Sequence, residues 1–240
     1  MKFSGKPASI TRFFDIRNAQ TMWLELSNLI IGAEADLVLA QTFKALEPAQ
    51  EPQFEDSVAI NDLYFIHDRK MNLLNTAVWA LIKVEDLVLR LLHESIGGDL
   101  VDATLPDWER RELRREKVLK GLKNKHAEGV LSDDELKAIR EALTVPNRAP
   151  KRVVAKTYRN HLTHHVRPSV DYPMFFSIRE SRKGEEIKDA NGKVIGRQHK
   201  IGTRSSAEYN FDELHAAFSA YLDAVADMLQ KLSEIELLHP

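Results

Sequence analysis

From Ser57 to Ser95 the chain contains neither proline nor glycine. Through this stretch Ile60, Tyr64, Met71, Leu74, Val78, Leu81, Val88 and Leu92 recur at steps of three, four and seven. That spacing keeps side chains on one face of an α-helix. A second stripe of Leu63, Leu73, Ala77, Val84, Leu87 and Leu91 widens the face. The pattern predicts one long helix, ended by Gly97 and Gly98, whose broad apolar face other elements must cover.

The rest of the chain supplies those elements. Residues 1–16 keep no apolar period and read as an irregular arm. Residues 17–46 read as a helix carrying Leu26, Leu29, Ile30, Ala33, Leu37, Ala40 and Phe43, with Pro48 and Pro52 breaking the chain after it. Residues 106–144 read as a basic helical hairpin: Pro106 suits a first turn, and Ser132 with Glu135 forms a capping box. Pro146 and Pro150 flank the next connection, and residues 151–167 form a helix stopped by Pro168. MFFSIRES and KVIGRQHKIG, with Asn191-Gly192 between them, predict a β-hairpin insertion over 174–202. Asn210 and Glu213 then open a last helix, with a seam of Phe211, Leu214, Phe218, Tyr221, Val225, Leu229 and Leu232. Long helices with short connections predict an all-α, up-and-down bundle with the two insertions. At 240 residues this is one domain.

Composition removes several kinds of chemistry. There is no cysteine, hence no disulfide, thiolate metal site or thiol nucleophile. No apolar run reaches membrane-spanning length, and the N-terminus has no signal-like apolar core, so a cytoplasmic protein is expected. No glycine-rich loop follows a strand, which leaves dinucleotide and P-loop sites unsupported.

The net charge of −2 hides an uneven distribution. Residues 110–167 hold 16 Lys or Arg against 7 Asp or Glu, so +9 lies there and −11 in the remainder. Between Ala142 and Val170 there is no carboxylate. Polyanions respond to local potential, so Arg148, Lys151, Arg152 and Lys156, with the basic residues of 110–125, are candidates to follow an RNA backbone. A plain solvated basic face accounts for the charge equally well.

At the centre of this region lies TYRNHLTHHVRP. Of nine histidines, three (His161, His164 and His165) fall within five positions. On a wheel at about 100° per residue, Arg159, Thr163, Lys156, Asn160 and His164 share an arc of roughly 140°. Ala155, Tyr158, Leu162 and Val166 form an apolar stripe elsewhere on the wheel. The helix can dock on that stripe and present Arg159, Asn160, Thr163 and His164 together. Arginine offers a fixed fork of donors for phosphate oxygens. Histidine moves protons near neutral pH. RNA brings its own nucleophile, the 2′-OH, so these residues suffice for cleavage without a metal. A second copy of the helix across a two-fold axis would supply both an acid and a base. His161 and His165, at i, i+4, could instead share a metal ion, but no carboxylate completes such a site and HExxH order is absent. A lone histidine on a helix is also commonly structural.

Arg159-Asn160 followed by His164 resembles the signature of the HEPN superfamily: an arginine, a polar residue and a histidine after four to six intervening positions. His165 also falls within that spacing. The specific match covers RNHLTHH; the remaining likeness is one of helix order over 57–95, 148–167 and 208–238. The resemblance implies a helical bundle that dimerises through its motif helices. It also implies a metal-independent endoribonuclease without cofactor, of a kind found in toxin–antitoxin and phage-defence systems, with an antitoxin protein as a possible partner. Arg159 would hold phosphate, His164 would do acid–base work, and Asn160 would support them. Val166 stands where one toxin subgroup has tyrosine. Some superfamily members only bind RNA, nucleotides or proteins, and both a binding module and an oligomerisation module remain open. Glu85 sits in the seam of the long helix, between Leu81 and Val88, where burial would demand a partner. Arg159 or a histidine could serve, and a solvated edge position would remove the demand. Glu85, Thr163 and His165 are the candidate supporting residues.

Overall fold

The computed structural model describes residues 8–48, 57–95, 115–164, 168, 170–171, 179–188, 194–203 and 207–235. Among them are six helices: α1 (Ala8–Ala45), α2 (Ser57–Ser95), α3 (Arg115–Ala127), α4 (Asp133–Arg148), α5 (Arg152–His164) and α6 (Phe211–Ser233). Strands β1 (Arg179–Lys188) and β2 (Val194–Thr203) pair antiparallel between α5 and α6. The chain divides into two compact units, residues 1–159 with 217–240 and residues 160–216.

In the first unit α1 and α2 are the long elements, at 38 and 39 residues. Two ion pairs mark their antiparallel order: Lys83 meets Glu25 at 2.7 Å, and Lys70 meets Glu47. Lys70 is fully buried, while Glu47 also receives Lys44 at 2.7 Å. Leu26, Ala33, Leu37 and Ala40 of α1 are buried, as are Leu63, Met71, Leu74, Ala77, Val78, Leu81, Val84, Val88, Leu91 and Leu92 of α2. The seam is weaker near the start of α2, where Tyr64 is exposed and Ile60 half-buried. Val118 and Leu122 of α3, and Ile139 and Ala142 of α4, are buried as well.

Three boundaries differ from the sequence reading. The arm expected over 1–16 is helical from Ala8. No proline or glycine follows Pro7 until Gly32, and a helix propagates through such a stretch without an amphipathic period. α4 continues past Pro146 to Arg148. A proline in the last turn forfeits one helical hydrogen bond, and its carbonyl still accepts from Ala149 N–H at 3.3 Å. β1 begins at Arg179 and runs through RESRKGEEIK, with bulges on the ladder at Lys183/Glu186 and Ile187/Lys188. Pairing there is a backbone ladder, which polar residues sustain without an alternating pattern. Residues 174–178, Asn191-Gly192, residues 1–7 and the start of the basic hairpin at 106–114 lie outside the described residues.

Local caps account for the remaining junctions. Ser132 Oγ accepts from Glu135 N–H, and the Glu135 carboxylate accepts from Ser132 N–H at 2.8 Å, the reciprocal capping box. The Ser132 N–H, with the Ser132 hydroxyl donating to Glu135 Oε2 at 2.7 Å, holds the Glu135 carboxyl below its usual range. Between α4 and α5, Lys151 adopts φ 61°, and its carbonyl accepts from Val154 and Ala155. In the second unit, Asn210 Oδ1 accepts from the N–H groups of Asp212 and Glu213 at the start of α6. Asp171 Oδ1 accepts from Phe211 N–H at 2.7 Å. Phe211 and Leu214 are buried.

Candidate functional site

α5 docks through Ala155 and Tyr158, both fully buried. The Tyr158 hydroxyl donates to Asn75 Oδ1 of α2 at 2.9 Å, and its ring tilts against Phe218 of α6 at 5.6 Å. A tyrosine held by its ring and its hydroxyl fixes the rotation of α5 about its own axis. Arg152, Lys156 and Arg159 consequently stand on its half-buried flank.

Glu85 of α2 is the hub of that flank. Arg152 donates to both carboxylate oxygens, with Nη2 at 3.1 and 3.0 Å and Nε at 3.3 Å. Lys156 donates at 3.1 Å and the Tyr221 hydroxyl of α6 at 2.6 Å. Arg152 and Lys156 lie one helical turn apart, so a single carboxylate reaches both. Burial alone would raise the Glu85 carboxyl, but the Tyr221 hydrogen bond and the two cations outweigh it and hold it below the usual range. Burial, with the Glu85 charge, pushes the Tyr221 phenol well above its ordinary value, so it is a neutral donor. Arg115 of α3 is pushed down by burial and by the neighbouring Arg152 charge. Two residues read as RNA contacts, Arg152 and Lys156, are thus paired with Glu85, while Arg148 and Lys151 are exposed. The sequence points to Arg159 or a histidine as the partner of Glu85; in the structure its partners are Arg152, Lys156 and Tyr221.

Arg159 lies over the ring of Trp79, its guanidinium carbon 4.7 Å from the ring centroid. Such a contact contributes about 0.5–1 kcal/mol at a partly exposed position. Trp79 is 42% exposed although it is a large aromatic. Two helical turns further along α2 is Asp86, whose carboxyl is held above its usual range by burial and by the Glu85 charge, against the opposing charges of Arg159, Lys156 and Arg90.

In the second unit, Asn160 and Thr163 are exposed on α5. His161 Nδ1 is hydrogen-bonded to the Tyr209 hydroxyl at 3.1 Å, and the two rings meet edge-on. His164 is the last residue of α5; its side chain, and the whole of His165, lie outside the described residues. Among the described residues no group of three or more His, Asp or Glu is placed to hold a metal ion. No described helix is long and apolar enough to cross a membrane.

Sequence reasoning missed Trp79, Tyr221 and Asn75. Trp79 carried a signal: it interrupts the polar arc of α2 formed by Asn72, Thr76, Lys83 and Asp86. Tyr221 carried none, because its ring satisfies the apolar seam and its hydroxyl is silent in that pattern. No family model matches the chain, and comparisons with curated proteins and with solved structures give no significant match.

Proposed function

We propose that this chain is a HEPN-like, metal-independent endoribonuclease. In the proposed reaction the 2′-oxygen of a ribose bonds to the adjacent phosphorus as the bond to the 5′-oxygen breaks. The products are a 2′,3′-cyclic phosphate and a 5′-hydroxyl. Arg159 binds the scissile phosphate, where charge grows in the transition state. His164 moves a proton, taking it from the 2′-OH or giving it to the leaving oxygen, and the same residue of a second copy serves the other step. Asn160 orients the substrate, with Thr163 and His165 in support. Glu85 acts on the helix rather than on RNA. The basic residues of 110–125 with Arg148 and Lys151 follow the backbone without reading sequence. A toxin or phage-defence role in the cytoplasm, with an antitoxin protein as partner, accompanies this reading.

The observation that carries it is the setting of Arg159: a helix fixed by Tyr158 holds this guanidinium against the half-exposed ring of Trp79. The test is incubation of purified protein with single-stranded RNA in EDTA. Cleavage is expected, and its loss is expected in both Arg159→Ala and His164→Ala. Cleavage unchanged in either variant contradicts the assignment, and salt-sensitive binding without turnover would make the chain a binding module.

A further inference from the structure

We infer that Trp79 is a stacking platform for an unpaired nucleobase next to the phosphate held by Arg159. The inference rests on the RNA reading above and adds a residue that selects the form of the substrate. Trp79 stands among exposed polar positions of α2, at 42% exposure, yet its ring faces the Arg159 guanidinium at 4.7 Å. Arginine carries five N–H donors in a rigid planar fork, a donor set that suits phosphate oxygens. The exposed part of the indole beside the guanidinium offers π-surface that a base can cover, because stacking needs no particular donor pattern. Base and phosphate of one nucleotide lie only a few ångströms apart, so an aromatic ring and an arginine in contact match their separation. A base inside a duplex is covered by its neighbours, so this platform takes single strands, loops and bulges. In-line attack by a 2′-OH needs a flexible, unpaired linkage, so the preference and the chemistry agree.

The test uses a 2′-O-methyl oligoribonucleotide, which has no free 2′-OH and binds without turnover, beside an oligomer of equal charge whose residues carry no base. Trp79→Ala is expected to weaken binding of the base-bearing oligomer about ten- to a hundredfold. Binding of the abasic oligomer should change less than about threefold. Trp79→Phe, which keeps a ring, should retain base-dependent binding. Equal losses on both oligomers would mean that Trp79 acts only by holding Arg159, and would overturn the inference. So would a loss of base-dependent binding in Trp79→Phe as large as that in Trp79→Ala. If the oligomer binds as described but natural RNA is not cleaved, the platform stands and the nuclease reading fails. If RNA is cleaved but Trp79→Ala binds both oligomers as the wild type does, the reverse holds.

Discussion

Replacing Glu85 by Gln removes one charge and almost no volume, so it isolates the electrostatic work of the hub. In the wild type the carboxylate faces Arg152, Lys156 and the Tyr221 hydroxyl. The side chains of Glu85 and Arg152 are each 20% exposed, and that of Lys156 is 38% exposed. Removing one partner of a fully buried pair costs about 3–5 kcal/mol, whereas exposed pairs contribute about 0–1 kcal/mol. Glu85 and Arg152 lie nearer the first limit, and solvent screening discounts Lys156. The expected loss for Glu85→Gln is therefore about 2–3 kcal/mol, which for a chain of this size lowers Tm by roughly 4–12 °C. Thermal and urea unfolding followed by circular dichroism measure it. Glu25→Gln, which loses the exposed pair with Lys83, is the control and should cost less than about 1 kcal/mol. The folded-state carboxyl of Glu85 is depressed, so its contribution is fully present above the unfolded glutamate value of about 4.3. It disappears as pH falls through the lower folded value, so the gap between wild type and Glu85→Gln should close in acid. A loss no larger than that of Glu25→Gln, or a gap that does not shrink in acid, would refute the reasoning.

Other consequences follow from single contacts. Lys70→Met leaves the Glu47 carboxylate, 6% exposed, with Lys44 as a remaining partner, so it should cost less than Glu47→Ala, which strands Lys70 and should cost about 3 kcal/mol or more, both read from urea midpoints. Lys151→Gly relieves a left-handed backbone and should raise stability by about 0.5–1 kcal/mol in a thermal melt; a lower Tm would contradict the strain. Ser132→Ala dismantles the capping box and should cost about 1 kcal/mol, with amide exchange accelerated first at the start of α4.

How much the sequence disclosed depended on the range of the interaction concerned. α2 was legible because its apolar seam is sustained over many turns, and the capping box because its partners are three residues apart. The extension of α1 to Ala8 was not, since a helix can continue where no period marks it. Glu85 attracted attention by standing in an apolar seam, but its partners lie 67, 71 and 136 residues away. Nothing local distinguishes Arg152 and Lys156, which hold Glu85, from Arg148 and Lys151, which are exposed in the same basic run. The polar arc of α5 was drawn from its wheel alone, and the buried Ala155 and Tyr158 agree with the apolar side of that wheel. The aromatic neighbour of Arg159 came from another helix, beyond the reach of any wheel.

The proposed transesterification of RNA by residues of α5 leaves a chemical signature. The most direct measurement is the chemistry of the ends produced when the protein cuts an end-labelled single strand in EDTA. A 2′,3′-cyclic phosphate facing a 5′-hydroxyl is expected, and no cut at a linkage whose ribose is 2′-deoxy. A 3′-hydroxyl facing a 5′-phosphate, or cutting that persists at the deoxy linkage, would contradict it.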